Sequence, residues 1–154
     1  MDIKKVLWPT DFSSSAHAAL DHVKSLSQNY NAEVHVVHVF EDVMHHESWY
    51  GEFDEKRIES FMEKAQKRAK ERLDQICERH LEGCPLFIKH VAVGDPASVI
   101  LNLIEQEKVD MVVMATKGKS GQFKFGSVTE RVTKNSPVPV TTIPTENASP
   151  DPNE

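Results

Sequence analysis

Long apolar runs are missing from this 154-residue chain. No stretch approaches the roughly 20 consecutive apolar residues that a membrane-crossing helix needs. Cysteine is scarce, with only Cys77 and Cys84 present. Their spacing is neither CxxC nor a disulfide framework, so two ordinary reduced thiols are expected. A basic excess is lacking as well: the formal net charge is −6, which disfavours a nucleic-acid backbone or an anionic membrane as partner. Met1 to Pro9 holds no apolar signal-peptide core, and a cytoplasmic location is the expectation. Glycine is sparse too, at six residues, yet three of the six fall within residues 118–126.

What is present reads as one soluble globular domain over residues 1–144, with 39% hydrophobic and 27% charged residues in the whole chain. The remaining segment, 145–154, is Asn, Ser, Pro and acid, and reads as a disordered tail. Ile3 to Trp8 is a short apolar run stopped by Pro9, hence a strand. Ala16, Ala19, Leu20, Val23 and Leu26 then recur at helical spacing up to Asn29–Asn31. Val34 to Phe40 is a second strand and Glu41 to Phe53 a loop. Ile58, Phe61, Met62, Ala65, Ala69, Leu73 and Ile76 mark a long amphipathic helix that ends before Gly83. Leu86 to Val93 is a third strand. Gly94-Asp95-Pro96 turns into a helix with Val99, Ile100, Leu103 and Ile104 on its apolar face. Val109 to Met114 is a fourth strand, residues 127–134 a helix, and Val138 to Ile143 a fifth strand.

Strand alternating with helix implies an α/β fold: a single five-stranded parallel sheet, doubly wound as a three-layer sandwich. Strands apolar on both faces agree with that. Ligands of such sheets sit beyond the carboxyl ends of the strands, at the topological switch point. The loop after the first strand, Pro9 to Ser13, and the loop after the fourth, Ala115 to Ser127, then face each other across one crevice. The second of these leaves a strand, runs through glycine-bearing polar residues, and enters a helix at Gly126-Ser127. Glycine permits close backbone approach, and the first N–H groups of a helix point outward at an anion. Asp11 opposite such a loop suits a nucleotide.

These residues resemble the universal stress protein family over nearly the whole chain, about residues 1–144. The resemblance rests on Ile3-Lys4-Lys5-Val6-Leu7-Trp8-Pro9-Thr10-Asp11-Phe12-Ser13, on Ala32-Glu33-Val34-His35-Val36-Val37-His38-Val39, and on Gly94-Asp95-Pro96-Ala97. Its most specific part is Val113-Met114-Ala115-Thr116-Lys117-Gly118, then Gly126-Ser127-Val128-Thr129-Glu130-Arg131-Val132, then Pro137-Val138-Pro139-Val140. It implies a Rossmann-like fold of the adenine nucleotide alpha hydrolase type. It further implies a dimeric stress-response sensor or switch that binds ATP or AMP, with Mg²⁺ on the phosphates and an unidentified protein partner downstream.

Residue by residue, the resemblance gives Asp11 the ribose hydroxyls, and Pro9, Thr10, Val39, Met114 and Ala115 the adenine slot. Gly118, Gly126, Ser127 and Val128 hold phosphates through their N–H groups, and Lys117 or Lys119 pairs with the outer ones. The ATP-binding members carry a motif of Gly, two residues, Gly, nine residues, then Gly-Ser or Gly-Thr. Here Ala115 stands at the first glycine, and seven residues rather than nine separate Gly118 from Gly126. The alternative reading is therefore an interaction module of the same fold with an impaired nucleotide site. The family also dimerises through its last strand, here 138–143, where Pro139 demands a sheet edge.

Each sharp reading has a plain competitor. Asp11 alone caps the first helix in one of them; Ser127 and Glu130 form a capping box in another. His45-His46-Glu47 reads as solvated loop rather than metal site. His35 and His38 are three apart on a strand, face opposite ways, and cannot share a metal. Trp49, Tyr50, Phe53 and Phe61 read as cover for a core edge. No dedicated catalytic residue is expected. Gly118-Lys119-Ser120 lacks the P-loop glycine five residues earlier, where Val113 stands.

Overall fold

The computed structural model describes residues 1–41, 55–82, 84, 86–117 and 125–145. Five strands alternate with helices along the chain: β1 (Lys5–Pro9), α1 (Ser14–His17), α2 (Leu20–Tyr30), β2 (Glu33–Phe40), α3 (Glu55–His80), β3 (Phe87–Val93), α4 (Pro96–Glu107), β4 (Met111–Ala115), α5 (Ser127–Asn135) and β5 (Val140–Ile143). They form one sheet in the order β3-β2-β1-β4-β5, with every neighbouring pair parallel. The order reverses between β1 and β4, so the switch point lies between the loops after those two strands, as expected.

Strand periodicity divides the core into two layers. Val6, Trp8, Val34 and Val36 pack with Leu20 and Val23 of α2 and Leu73 and Ile76 of α3. Leu7, Val37, Val112 and Met114 pack with Ile100 and Ile104 of α4 and Val132 of α5. The central strands are buried on both faces, which is why they read as nearly unbroken apolar runs. Local chemistry sets the helix ends. Asp95 caps α4 by accepting from the Ser98 N–H at 3.0 Å, with Pro96 opening the helix. Asn31 and Lys108 close α2 and α4 in the left-handed conformation.

Several expectations needed correction. The first helical segment is two helices, broken at Ala18–Ala19. Trp8, fully buried, donates its indole N–H to the Ala16 carbonyl at 3.1 Å, and the Ala19 N–H takes the same carbonyl at 3.2 Å. That shared acceptor tightens the turn and interrupts the α-helical pattern. Phe61 does not cover a core edge; it is 66% exposed. The core contacts of α3 come from Ala69, Leu73, Ile76 and Cys77. Cys77 is buried, and burial pushes its thiol up to about 11, while Cys84 is half-buried; both are free. β5 lies at a sheet edge, and Pro139 just before it serves β4 as an acceptor, from the Val112 N–H at 2.9 Å. The loop with His45, His46, Glu47, Trp49, Tyr50 and Phe53 falls outside the described residues, as does the tail from 146 onward.

Candidate nucleotide site

The carboxyl ends of β1, β2 and β4 and the starts of α4 and α5 enclose a cavity of about 360 Å³. Pro9, Thr10, Asp11, Val39, Met114, Ala115, Lys117, Gly126, Ser127 and Val128 all line it. These are ten of the eleven residues expected at the site; the eleventh, Gly118, lies outside the described residues, as do Lys119 and the rest of the wrapping segment to Lys124. Val37, Ile100 and Thr129 also line the cavity, with Pro96 and Glu41. Val37 and Glu41 sit two positions either side of Val39, so strand periodicity alone pointed to them. Ile100 is one helical turn beyond Pro96.

The loop after β1 is held in one conformation by its own side chains. Phe12 adopts φ of 64°, uncommon for an aromatic residue, and its ring is buried in the core. The Phe12 N–H donates to Thr10 Oγ1 at 3.0 Å. Asp11 Oδ1 accepts from the Ser13 N–H at 2.9 Å and from the Ser13 hydroxyl. Ser13 Oγ in turn accepts from the Ala16 N–H at 3.1 Å and caps α1. Asp11 therefore supports the cap without being the cap. Asp11 is nonetheless one of the residues that line the cavity.

On the opposite wall, Gly126 is the N-cap of α5, extended at φ −73° and ψ 155°, and Ser127 is the first helical residue. The competing capping box of Ser127 and Glu130 is not formed: the N-cap is Gly126, which has no side chain, and Glu130 pairs with Lys134 one turn on. Ser127, Val128 and Thr129 at the start of α5 line the cavity, and the N-cap residue offers their N–H groups no side chain. Thr129 ties this helix to the sheet by donating from its hydroxyl to the Ala115 carbonyl at 2.9 Å, and the Gly126 N–H reaches the Thr116 carbonyl at 2.7 Å. Arg131 joins α5 to the start of α4 through Asp95 at 2.8 Å. The Arg131 guanidinium, helped by Ser98, holds the exposed Asp95 carboxyl well below the usual carboxylate range.

The histidines part company as strand geometry requires. His38 binds the Thr10 carbonyl, at 2.9 Å from Nδ1. His35, wholly buried on the other face, has Nε2 2.6 Å from Glu33 Oε1 and Nδ1 2.9 Å from Nε2 of His90. Among the described residues no cluster of three or more His, Cys, Asp or Glu side chains could hold a metal.

Residues 2–144 match the model of the Universal stress protein family. This chain belongs to that family. It is 30% identical to Universal stress protein MJ0577 of Methanocaldococcus jannaschii, an alignment covering 94% of this chain and 97% of the relative. The solved structure of MJ0577 superposes with a TM-score of 0.83, covering 96% of this universal stress protein and 100% of that chain at 31% identity. More distant structures share the fold. One is a universal stress protein in complex with cAMP, at 18% identity and a TM-score of 0.62, covering 95% of this chain and 100% of its own. Another is the Archaeoglobus fulgidus protein in complex with dAMP, at 20% identity and 0.63, covering 93% and 99%. Among the described residues no helix is long and apolar enough to cross a membrane.

Proposed function

We propose that this chain binds an adenine nucleotide, ATP or AMP, in the cavity between Asp11 and the start of α5, and acts as a dimeric cytoplasmic sensor or switch in a stress response. The observation that carries this reading is the make-up of the cavity wall. Val37, Val39, Ile100, Met114 and Pro9 offer an apolar slot, Asp11 a carboxylate, and α5 a start whose N-cap, Gly126, brings no side chain to the first N–H groups. A base, a ribose and a phosphate ask for those three in turn. The volume suits it, since small-ligand cavities begin at about 300 Å³. Family relatives whose structures were solved in complex with cAMP and with dAMP support an adenine ligand.

In this reading Pro9, Thr10, Val39, Met114 and Ala115 hold adenine, with the Val39 backbone along the base edge. Asp11 accepts from the ribose hydroxyls. Ser127 and Val128 donate N–H groups to phosphate, joined by Gly118, and Lys117 pairs with an outer phosphate; Gly126, whose own N–H is held by the Thr116 carbonyl, serves by its close backbone approach instead. Mg²⁺ would ride on the phosphates of bound ATP. The protein supplies binding rather than a dedicated reaction. β5, an edge strand, pairs with its copy to form the dimer. Light scattering should give twice the chain mass at micromolar concentration; a monomer there would refute the dimer.

The loop two residues shorter than the family motif favours a second reading, an interaction module that has lost its nucleotide. Mass spectrometry of small molecules released on denaturing the purified protein separates the two. AMP or ATP at near-stoichiometric yield supports the first. A protein that is purified empty and takes up neither nucleotide supports the second.

A further inference from the structure

The cavity is lined from one face of β2, by Val37 and Val39. His38 lies between them and points to the other face, where its ring meets Phe12 at 4.3 Å and Phe40 edge-on at 4.8 Å. From there Nδ1 sits 2.9 Å from the Thr10 carbonyl oxygen. A carbonyl only accepts, so Nδ1 carries the hydrogen and donates. Thr10 is buried, and its N–H is bound to the Val37 carbonyl at 2.9 Å. β2 thus grips Thr10 at both backbone groups, once through its own backbone and once through His38.

Two features show how much that second grip has to hold. Phe12, two residues on, sits at a positive φ that a bulky side chain adopts only when its surroundings impose it. Those surroundings are the His38 ring on Phe12 and the Arg72 guanidinium 4.5 Å from the same ring. Between the anchored Thr10 and the anchored Phe12 lies Asp11, a residue of the cavity wall whose Oδ1 accepts from Ser13. From these contacts we infer that His38 is a positioning residue of the nucleotide site. It touches no ligand, and it acts by fixing the Thr10–Phe12 backbone so that Asp11 meets the ribose hydroxyls. The inference rests on the nucleotide reading above and adds to it a residue on the far side of the strand.

The test compares two ligands and two substitutions in the full chain by isothermal titration. AMP carries the ribose hydroxyls, and 2′,3′-dideoxy-AMP lacks them. His38→Leu keeps the bulk and removes the donor. His38→Asn places an amide nitrogen on Cγ where Nδ1 stood. His38→Leu should weaken AMP about tenfold, as expected for a buried carbonyl left without its donor beside a binding group. It should shift dideoxy-AMP by less than about twofold. His38→Asn should recover AMP binding to within about threefold of the parent. In an Asp11→Asn background, His38→Leu should no longer change AMP affinity, because both act through one contact. Equal weakening of both ligands means a general packing role and overturns the inference; unchanged AMP binding by His38→Leu overturns it too. Should His38→Leu fail to fold, His38→Gln, whose donor is one carbon further out, must show the same selective loss for AMP, and a uniform or absent loss overturns the inference. A parent protein that binds neither ligand overturns the nucleotide reading itself, a result none of the variants can imitate.

Discussion

Asp11 is the residue whose two candidate duties differ most in what a substitution does. One is local: Oδ1 accepts from the Ser13 N–H at 2.9 Å, and Ser13 caps α1. The other is recognition of ribose at the cavity. Asp11→Asn retains Oδ1 and hence the local turn, but removes the charge. Its cost in stability should stay within about 0.5 kcal/mol. Asp11→Ala removes both duties, and loss of a cap-like turn costs about 1 kcal/mol, or about 2–4 °C in melting temperature for a chain of this size. Hydrogen bonds to a charged group contribute about 1.5–3 kcal/mol. Both variants should therefore lose about 10- to 150-fold in AMP affinity. Calorimetric titration with AMP, set beside thermal melts of the same samples, reads the two duties separately. If Asp11→Asn binds AMP as the parent does, Asp11 serves only the local turn and the ribose assignment is wrong.

Further predictions concern stability. Gly94 lies at φ +148°, and a Cβ there would meet Val99 Cγ2 at 3.3 Å. Gly94→Ala should cost ~1–3 kcal/mol, lowering the melting temperature by about 2–12 °C; an unchanged melt would show that the turn relaxes freely. Burial, and then the neighbouring His35, hold His90 below its ordinary pKa of 6.5. The unfolded chain therefore binds the proton more readily than the folded one. The contribution of His90 is complete above pH 6.5 and is lost as pH falls through the lower folded value. Denaturation midpoints should drop from pH 7 toward 5, and His90→Gln should shallow that slope. An identical slope in the variant would remove His90 from the account.

Much of the architecture was legible because it depends on local pattern. Apolar runs bounded by Pro9, Gly94 and Pro137 located the strands, and the alternation of strand with helix led to the switch point. Asp95-Pro96 announced the start of α4 in its own chemistry. What stayed hidden depends on contacts between distant residues. The break between α1 and α2 needs the indole of Trp8 on Ala16, and no spacing within 14–30 encodes it. The Glu33–His35–His90 chain appears only once the β2–β3 register pairs Val37 with His90, diagonal to His35. At the site, Gly126-Ser127 was legible as an anion-binding helix start, but Glu130 pointed to a capping box. Gly126 rather than Ser127 is the N-cap, which leaves Glu130 one position beyond the capping-box place, where it pairs with Lys134. Glu41 lies two positions past Val39, within reach of strand periodicity, but at the start of a polar segment that the pattern reads as loop. His38 could be assigned a face from sequence, but not a partner.

The central claim is that adenine nucleotide occupies the cavity between Asp11 and α5. Titrating the purified, ligand-stripped chain with AMP and with ATP plus Mg²⁺ tests it most directly. One site per chain with a dissociation constant below the millimolar range for either nucleotide is the predicted result. Absence of measurable heat and of competition for both nucleotides up to millimolar concentration would contradict it.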